Sequence, residues 1–167
     1  MALHAGIRSL LQQLTANPPN YENDWYGPWF GLLNQIFPGC IVFRQYRIER
    51  SDGGPHQIPD FVVCRLVGNV YRIICVVEIK NTWHWPDGRR ALRRQINRQT
   101  DAAFDGSGLA MAWNRVYWIS VIGPRWQYGY KDDDGQPPTP LIRWRARTHC
   151  PNSYQDLLNL AALIALL

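Results

Sequence analysis

The chain has 167 residues, of which 46% are hydrophobic and 19% are charged, and its formal net charge is +5. These values fit a single domain over residues 1–167. The apolar run over residues 157–167 is too short to span a bilayer, so we expect no membrane partner. The basic excess favours an anionic partner such as nucleic acid, since 16 of the 18 basic residues are arginine, whose planar group pairs with phosphate.

The first half of the chain predicts two helices followed by a strand. Apolar periodicity predicts an extra helix within residues 1–16 and a core helix over residues 24–37, whose start Gly27 and Pro28 interrupt or delay. Residues 40–49 alternate between polar and apolar side chains, which is typical of a strand.

Residues 58–80 predict a β-hairpin that carries two carboxylates and a lysine. Two β-rich runs, 58–67 and 70–80, flank Gly68-Asn69, and a two-residue loop of this kind favours a tight hairpin. Pairing Val67 with Val70 sets Asp60 opposite Val77, whereas a one-residue bulge sets Asp60 opposite Glu78. Both registers leave the carboxylates within reach of one ion, since such neighbours lie about 4.5–8 Å apart. Alternation also puts Glu78 and Lys80 on one face and turns Ile79 into apolar packing.

The second half predicts a helix, a buried strand and a C-terminal strand and helix. On the helix over residues 88–104, one face is apolar except for Gln99, and arginines dominate the other. Residues 115–123 predict a buried strand, residues 131–140 an exposed loop, and residues 141–167 a strand and a helix that begins with Asn152 or Ser153 as its cap. The apolar tail of that helix predicts burial, either in the domain or across a homodimer interface.

Pro59-Asp60 followed by Glu78-Ile79-Lys80, in this order of elements, resembles the PD-(D/E)xK nuclease superfamily with its restriction-endonuclease-like fold. The resemblance covers residues from about 20 to 125. It implies an α/β (α+β) fold with an αβββαβ core and a mixed central sheet flanked by helices, here with an extra helix at each end.

The resemblance implies a metal-dependent nuclease, expected to be an endonuclease, that hydrolyses phosphodiester bonds with a metal-activated water. DNA is the favoured substrate, and RNA is the alternative. Asp60, Glu78 and Lys80 are the expected catalytic residues. Asp60, Glu78 and the Ile79 carbonyl are the expected ligands of Mg²⁺ or Mn²⁺, which take oxygen ligands. Lys80 is expected to orient the water or to stabilise developing charge.

Further residues are candidates for the surroundings of this site. Chain order places Glu22 at the same end of the sheet as Asp60, as an additional metal ligand or as a residue that favours the helix N-terminus; Glu49 is its rival. Gln95 resembles a glutamine of nucleases related to RecB, but Gln99 stands where those enzymes have tyrosine. Contact with a catalytic side chain, contact with substrate and simple packing therefore all stay open for Gln95.

Four more residues are candidate substrate contacts: Arg90 and Arg94 on the basic helix, and Trp83 and His84 directly after the catalytic strand. Trp83 is equally compatible with a packed aromatic loop. His84 and His56 are candidates for proton transfer.

The cysteine pattern and the N-terminal residues predict an intracellular protein, cytoplasmic or nuclear. The cysteines lack metal-type spacing, and Cys64 and Cys75 fit reduced core thiols. The first 20 residues lack a continuous apolar segment typical of a signal peptide. Two other functions stay open: a nucleic-acid-binding module that keeps the fold without catalysis, and an interaction protein that uses the tryptophan-rich surface.

Overall fold

The structure, a computed structural model, describes residues 2–85, 87–106, 114–132 and 136–167. It contains a six-stranded mixed sheet with helices on both faces. The four α-helices are α1 (Ala5–Ala16), α2 (Tyr26–Ile36), α3 (Gly88–Asp105) and α4 (Pro151–Ala165). The strands are β1 (Ile41–Arg44), β2 (Phe61–Val67), β3 (Val70–Lys80), β4 (Arg115–Ile122), β5 (Arg125–Asp132) and β6 (Thr139–Pro140). Short 3₁₀ turns occupy Glu22–Trp25 and Thr82–His84.

The strands lie in the order β1-β2-β3-β4-β5-β6, and β3 with β4 form the parallel pair in a sheet whose other neighbours are antiparallel. Helix α3 makes the crossover that a parallel pair requires. The run α2-β1-β2-β3-α3-β4 is the expected αβββαβ core, and α1 and α4 are the added terminal helices. The predicted restriction-endonuclease-like α+β fold is confirmed.

The two faces of the sheet bury two different cores. On β3, Cys75, Val77 and Ile79 are fully buried in the core that α1, α2 and α4 cover, while Val76 is fully buried in the core beneath α3. Side chains alternate between faces along a strand, so Glu78 lies on the α3 side. The predicted alternation of Glu78 and Ile79 is thus confirmed.

The hairpin between β2 and β3 contains the bulge that was one of its two predicted registers. Val67 pairs with Val70 across Gly68-Asn69, and Gly68 adopts φ +61°, a left-handed conformation that suits a tight hairpin turn. The register shifts between Val63 and Cys64, so that Phe61 pairs with Val77. Continuing this register by one residue brings Asp60 level with Glu78.

Helix α2 begins later than predicted, because the 3₁₀ turn Glu22–Trp25 precedes it. Gly27 and Pro28 then lie in its first turn. Proline is tolerated there because the first backbone N–H groups of a helix have no intrahelical acceptor.

The prediction of one long strand over residues 40–49 was wrong. Strand β1 ends at Arg44 because Gln45 has φ +50°, a left-handed conformation that turns the chain out of the sheet. The Gln45 N–H donates to the Asp60 carbonyl oxygen at 2.9 Å, and Ile48 forms an isolated bridge with Gln57.

The C-terminal third also corrects three predictions. Lys131 and Asp132 belong to β5 rather than to a loop, while residues 133–135 lie outside the described residues. The last strand is the short β6 at residues 139–140, not a strand within 141–150, where Arg145 forms an isolated bridge with Trp126. Helix α4 starts at Pro151, since proline suits the first helical position, and not after a cap at Asn152 or Ser153.

Helix α4 is buried along one face rather than all round. Leu157, Leu160 and Ile164 are at most 1% exposed, whereas Leu163 of the same helix is 37% exposed. The homodimer therefore stays a prediction. None of the helices in the described part of the chain has the length and apolar content required to cross a membrane.

The fully buried Lys131 joins β5 to α3. Its side chain is 1% exposed, and its Nζ donates to Asp101 Oδ1 and, at 3.0 Å, to Asn97 Oδ1. Asp132, its neighbour in sequence, pairs with Arg115 in an exposed ion pair at 2.6 Å. Strand β5 thus contributes one residue to an ion pair whose lysine is buried and one to an exposed ion pair.

We expect Asp101→Ala to lower the free energy of unfolding by about 3 kcal/mol, because it leaves the Lys131 charge buried and unpaired. Asp132→Ala, the matched control, should cost less than about 1 kcal/mol. Adding Lys131→Met to Asp101→Ala should recover most of the loss. Urea unfolding measures all three, and equal losses in the two alanine variants would contradict the buried role of this pair.

Candidate active site

Asp60 lies at the mouth of the hairpin, between Pro59 and Phe61, the first residue of β2. It is 7% exposed. Its Oδ1 accepts a short hydrogen bond from the Tyr26 hydroxyl at the start of α2, and its Oδ2 accepts one from the Ile79 N–H at 2.6 Å. The carboxylate is therefore held between helix α2 and strand β3.

Glu78 is 2% exposed and receives three N–H donors. Oε1 accepts from Lys80 Nζ at 2.7 Å and from Gln95 Nε2 at 2.5 Å, and Oε2 accepts from Gln99 Nε2 at 2.6 Å. Gln95 and Gln99 are four residues apart, so they lie on the same face of α3 and hold the carboxylate from one side.

These contacts explain the two glutamines on the inner side of the basic helix. Gln99 interrupts the apolar face because its buried amide donates to Glu78. Gln95 also contacts Glu78, so its position is not simple packing; a direct contact between Gln95 and substrate stays a prediction. Gln99 Oε1 is buried and has no hydrogen-bond partner among the described residues.

Glu22 reaches the same site from the 3₁₀ turn before α2. Its Oε1 lies 3.6 Å from Lys80 Nζ and 3.4 Å from the Tyr26 hydroxyl oxygen. The position predicted from chain order is therefore correct, and its role as a ligand stays a prediction. Glu49 instead forms an exposed ion pair with Arg47.

The site carries more negative than positive charge. Burial and then the neighbouring Glu78 charge raise the pKa of Asp60 to about 7, although the hydrogen bonds from Tyr26 and Ile79 act in the opposite direction. Burial lowers the pKa of Lys80, but the surrounding carboxylates, Glu78 foremost, outweigh it and raise that pKa. Lys80 therefore stays protonated beside two buried carboxyl groups.

The remaining predicted site residues lie around this centre. Arg90 and Arg94 are exposed on the outer face of α3. Trp83 and His84 are exposed on the 3₁₀ turn between β3 and α3, where the centroids of their two rings lie 6.4 Å apart. His56 is exposed in the segment before β2. Their roles in substrate binding or proton transfer stay predictions.

Sequence reasoning missed the part played by Tyr26, which contributes a hydroxyl to Asp60. Chain order could have indicated this role, because it places Tyr26, one helical turn after Glu22, at the same end of the sheet. Ile79 contributes its backbone N–H, which donates to Asp60, a contact that was not predicted. The role of the Ile79 carbonyl as a metal ligand stays a prediction.

In the described structure, neither the cysteines nor a group of three acidic, histidine or cysteine side chains arranged to hold a metal ion forms part of this site. All four cysteines are free, and burial raises the pKa of Cys64 to about 12 and that of Cys75 still further, as expected for reduced core thiols. Within the described ranges, no group of three or more histidine, cysteine, aspartate or glutamate side chains is arranged to hold a metal ion.

Comparisons with known proteins support the fold and leave the family open. No protein-family model matches the sequence. A thiopurine S-methyltransferase of Methylococcus capsulatus is 29% identical over 92 residues, which are 54% of this chain and 40% of that protein. The chain thus matches less than half the length of this curated relative.

Among solved structures, the chain resembles part of a cryo-EM structure of a DrdV–DNA complex. The match has a TM-score of 0.50 and 10% sequence identity, and it covers 93% of this chain and 13% of that one. At this identity the likeness shows the fold alone.

We expect Asp60→Asn to stabilise the metal-free protein. The raised pKa means that folding disfavours the ionised carboxylate, so the wild type loses stability as pH rises from about 4 to about 7 and keeps that deficit above. Asparagine does not titrate, and it can accept from the Ile79 N–H while its amide donates to Tyr26. The variant should therefore gain up to about 4 kcal/mol over wild type above pH 7, and almost nothing near pH 4.

Denaturant unfolding in EDTA across this pH range measures the effect. The exposed Asp24→Asn serves as the matched control and should change stability little at any pH. A loss of stability in Asp60→Asn at pH 8 would show that the buried carboxylate does not carry the expected penalty.

Proposed function

We propose that the chain is a metal-dependent nuclease of the PD-(D/E)xK type that acts on DNA. The observation that carries the proposal is the buried pair Asp60 and Glu78, with Lys80 Nζ donating to Glu78 at 2.7 Å. The motif that suggested this superfamily lies in a restriction-endonuclease-like fold, with each motif residue at the expected end of the sheet. The likeness to part of a DrdV–DNA complex supports DNA as the partner.

The donor set fits a hard divalent cation such as Mg²⁺ or Mn²⁺. Asp60 and Glu78 offer carboxylate oxygens, Glu22 lies beside them, and repulsion from Glu78 contributes to the raised pKa of Asp60. A divalent ion relieves that repulsion. Such ions bind through one or two carboxylates with waters and substrate phosphate, so a cluster of three acidic side chains is not required.

The chain's own residues position and polarise this site. Gln95 and Gln99 hold Glu78 in one orientation, and Tyr26 with the Ile79 N–H does the same for Asp60. Lys80 places a fixed positive charge where a phosphodiester gains negative charge during hydrolysis. A bound metal would supply a water of lowered pKa as nucleophile.

Metal binding is expected to raise the melting temperature. At about 100 times the Kd, a ligand that binds the folded state alone stabilises it by about 2.7 kcal/mol. Mn²⁺ should therefore stabilise the wild type, and Asp60→Asn and Glu78→Gln should lose this response. Glu49→Gln, an exposed carboxylate away from the site, is the matched control and should keep it. An equal response in all four proteins would count against metal binding at this pair.

Cleavage should require both the metal and Lys80. We expect wild-type protein with Mg²⁺ or Mn²⁺ to cleave circular duplex DNA or a duplex with a single-stranded overhang, EDTA to abolish this, and Lys80→Met to slow it about 10²- to 10³-fold while retaining the metal-induced rise in melting temperature. Glu49→Gln should cleave at the wild-type rate. An RNA of matched length tests the preference for DNA. Binding of nucleic acid without cleavage by the wild type would favour the non-catalytic module.

A further inference from the structure

A cavity of about 870 Å³ lies between α3 and the face of the sheet beyond β3. Arginines of α3 form one wall, and side chains of β4 and β5 form another. Pro138, Pro140 and Trp144 line the remaining side. Its lining includes Arg90, Arg93, Arg94, Trp118, Ser120 and Trp144.

This cavity adjoins the proposed active site. Ser120 on β4 is the register partner of Glu78 on β3, and partners in neighbouring strands project to the same face. The cavity therefore begins one strand away from Glu78, a spacing of about 4.8 Å. On the helix, Arg94 lines the cavity and the next residue, Gln95, holds Glu78.

The helical wall is strongly basic. Arg90, Arg93 and Arg94 line the cavity and continue into a more open recess of about 500 Å³, which Arg98 extends along α3. In the described part of the chain, none of these four arginines forms an ion pair, and Asp87 is the acidic residue that lines the cavity. Such a wall suits a ligand that carries several phosphates.

The opposite wall offers aromatic surface. Trp144 is half-buried and packs edge-on against Trp85, with ring centroids 5.2 Å apart. Trp118 is almost fully buried, and its Nε1 donates to the Tyr130 carbonyl oxygen at 3.2 Å. Trp144 is therefore the ring with surface left to stack on a base, and stacking of this kind accompanies basic grooves in proteins that bind single strands.

The cavity's size selects among nucleic acids. Cavities of about 300–1,000 Å³ enclose ligands of drug-like size, which corresponds here to about two nucleotides of a single strand. A duplex does not fit such a space. We infer that this cavity binds a single-stranded segment of the substrate, with phosphates on Arg90, Arg93 and Arg94 and a base on Trp144. This inference rests on the proposed function and narrows its substrate to DNA that offers an unpaired stretch, such as an overhang or a flap.

Binding can be tested without cleavage, in the Asp60→Asn protein with EDTA. Fluorescence anisotropy would compare a labelled single-stranded hexamer, a blunt duplex and a mononucleotide. We expect the hexamer to bind at least tenfold more tightly than the other two. Equal or tighter binding of the blunt duplex overturns the inference, and so does a mononucleotide that binds as tightly as the hexamer.

Variants locate the binding surface. Arg90→Gln with Arg94→Gln should weaken hexamer binding at least tenfold and reduce the slope of log K against log salt by about 0.7 per arginine. Trp144→Leu should weaken it about tenfold. Arg8→Gln, an exposed arginine on α1, is the matched control and should bind as before. Unchanged binding in the double arginine variant overturns the inference.

Different results would contradict the nuclease activity and the binding of a single strand. Thermal unfolding confirms that each variant is folded, and the two arginines are exposed, so their replacement leaves the core intact. Cleavage of circular duplex DNA together with preferential binding of blunt duplex would overturn the single-strand inference and leave the nuclease proposal standing. Preferential binding of the hexamer without cleavage of any DNA, whichever metal is added, would overturn the nuclease proposal and leave single-strand binding standing.

Discussion

Two carboxyl groups buried side by side, those of Asp60 and Glu78, impose the constraint on which this site depends. Burial and the Glu78 charge oppose ionisation of Asp60, and each buried carboxylate needs hydrogen-bond donors aimed at it. Those donors come from α2, β3 and α3. The site forms only when all three elements dock correctly, because a carboxylate that lost its donors would be left buried and unsatisfied.

The hairpin bulge and the buried Gln99 both serve to bring these carboxylates and their donors together. The bulge near Val63 shifts the register so that Asp60 lies level with Glu78. Gln99 occupies a buried helix position where an apolar side chain would pack better, and its Oε1 has no partner in the described structure. Such departures from the best local packing are expected at functional sites.

The sequence was sufficient for the order of elements and for the meeting of Asp60, Glu78, Lys80 and Glu22, since alternation, turn type and chain order determine them. It was insufficient for features that depend on contacts between residues far apart in the sequence. Nothing local fixed the bulge, the left-handed Gln45 that ends β1, or the burial of Lys131, whose polar sequence context favours a loop but whose partner Asp101 lies 30 residues away. Gln99 was visible as an anomaly, but its partner appeared only once α3 was packed against β3.

Helix α3 links the site's negative charge to a positive surface. Its inner side holds Glu78 through two amides, and its outer side presents arginines to the cavity that begins at Ser120. Without a cation, the carboxylates would repel a phosphodiester that the arginines attract a few ångströms away. An ion that neutralises the carboxylates removes this opposition, so the charge pattern itself links productive phosphate binding to metal binding. Because one rigid helix presents both surfaces, a displacement of α3 would change the orientation of Glu78 and the phosphate path together.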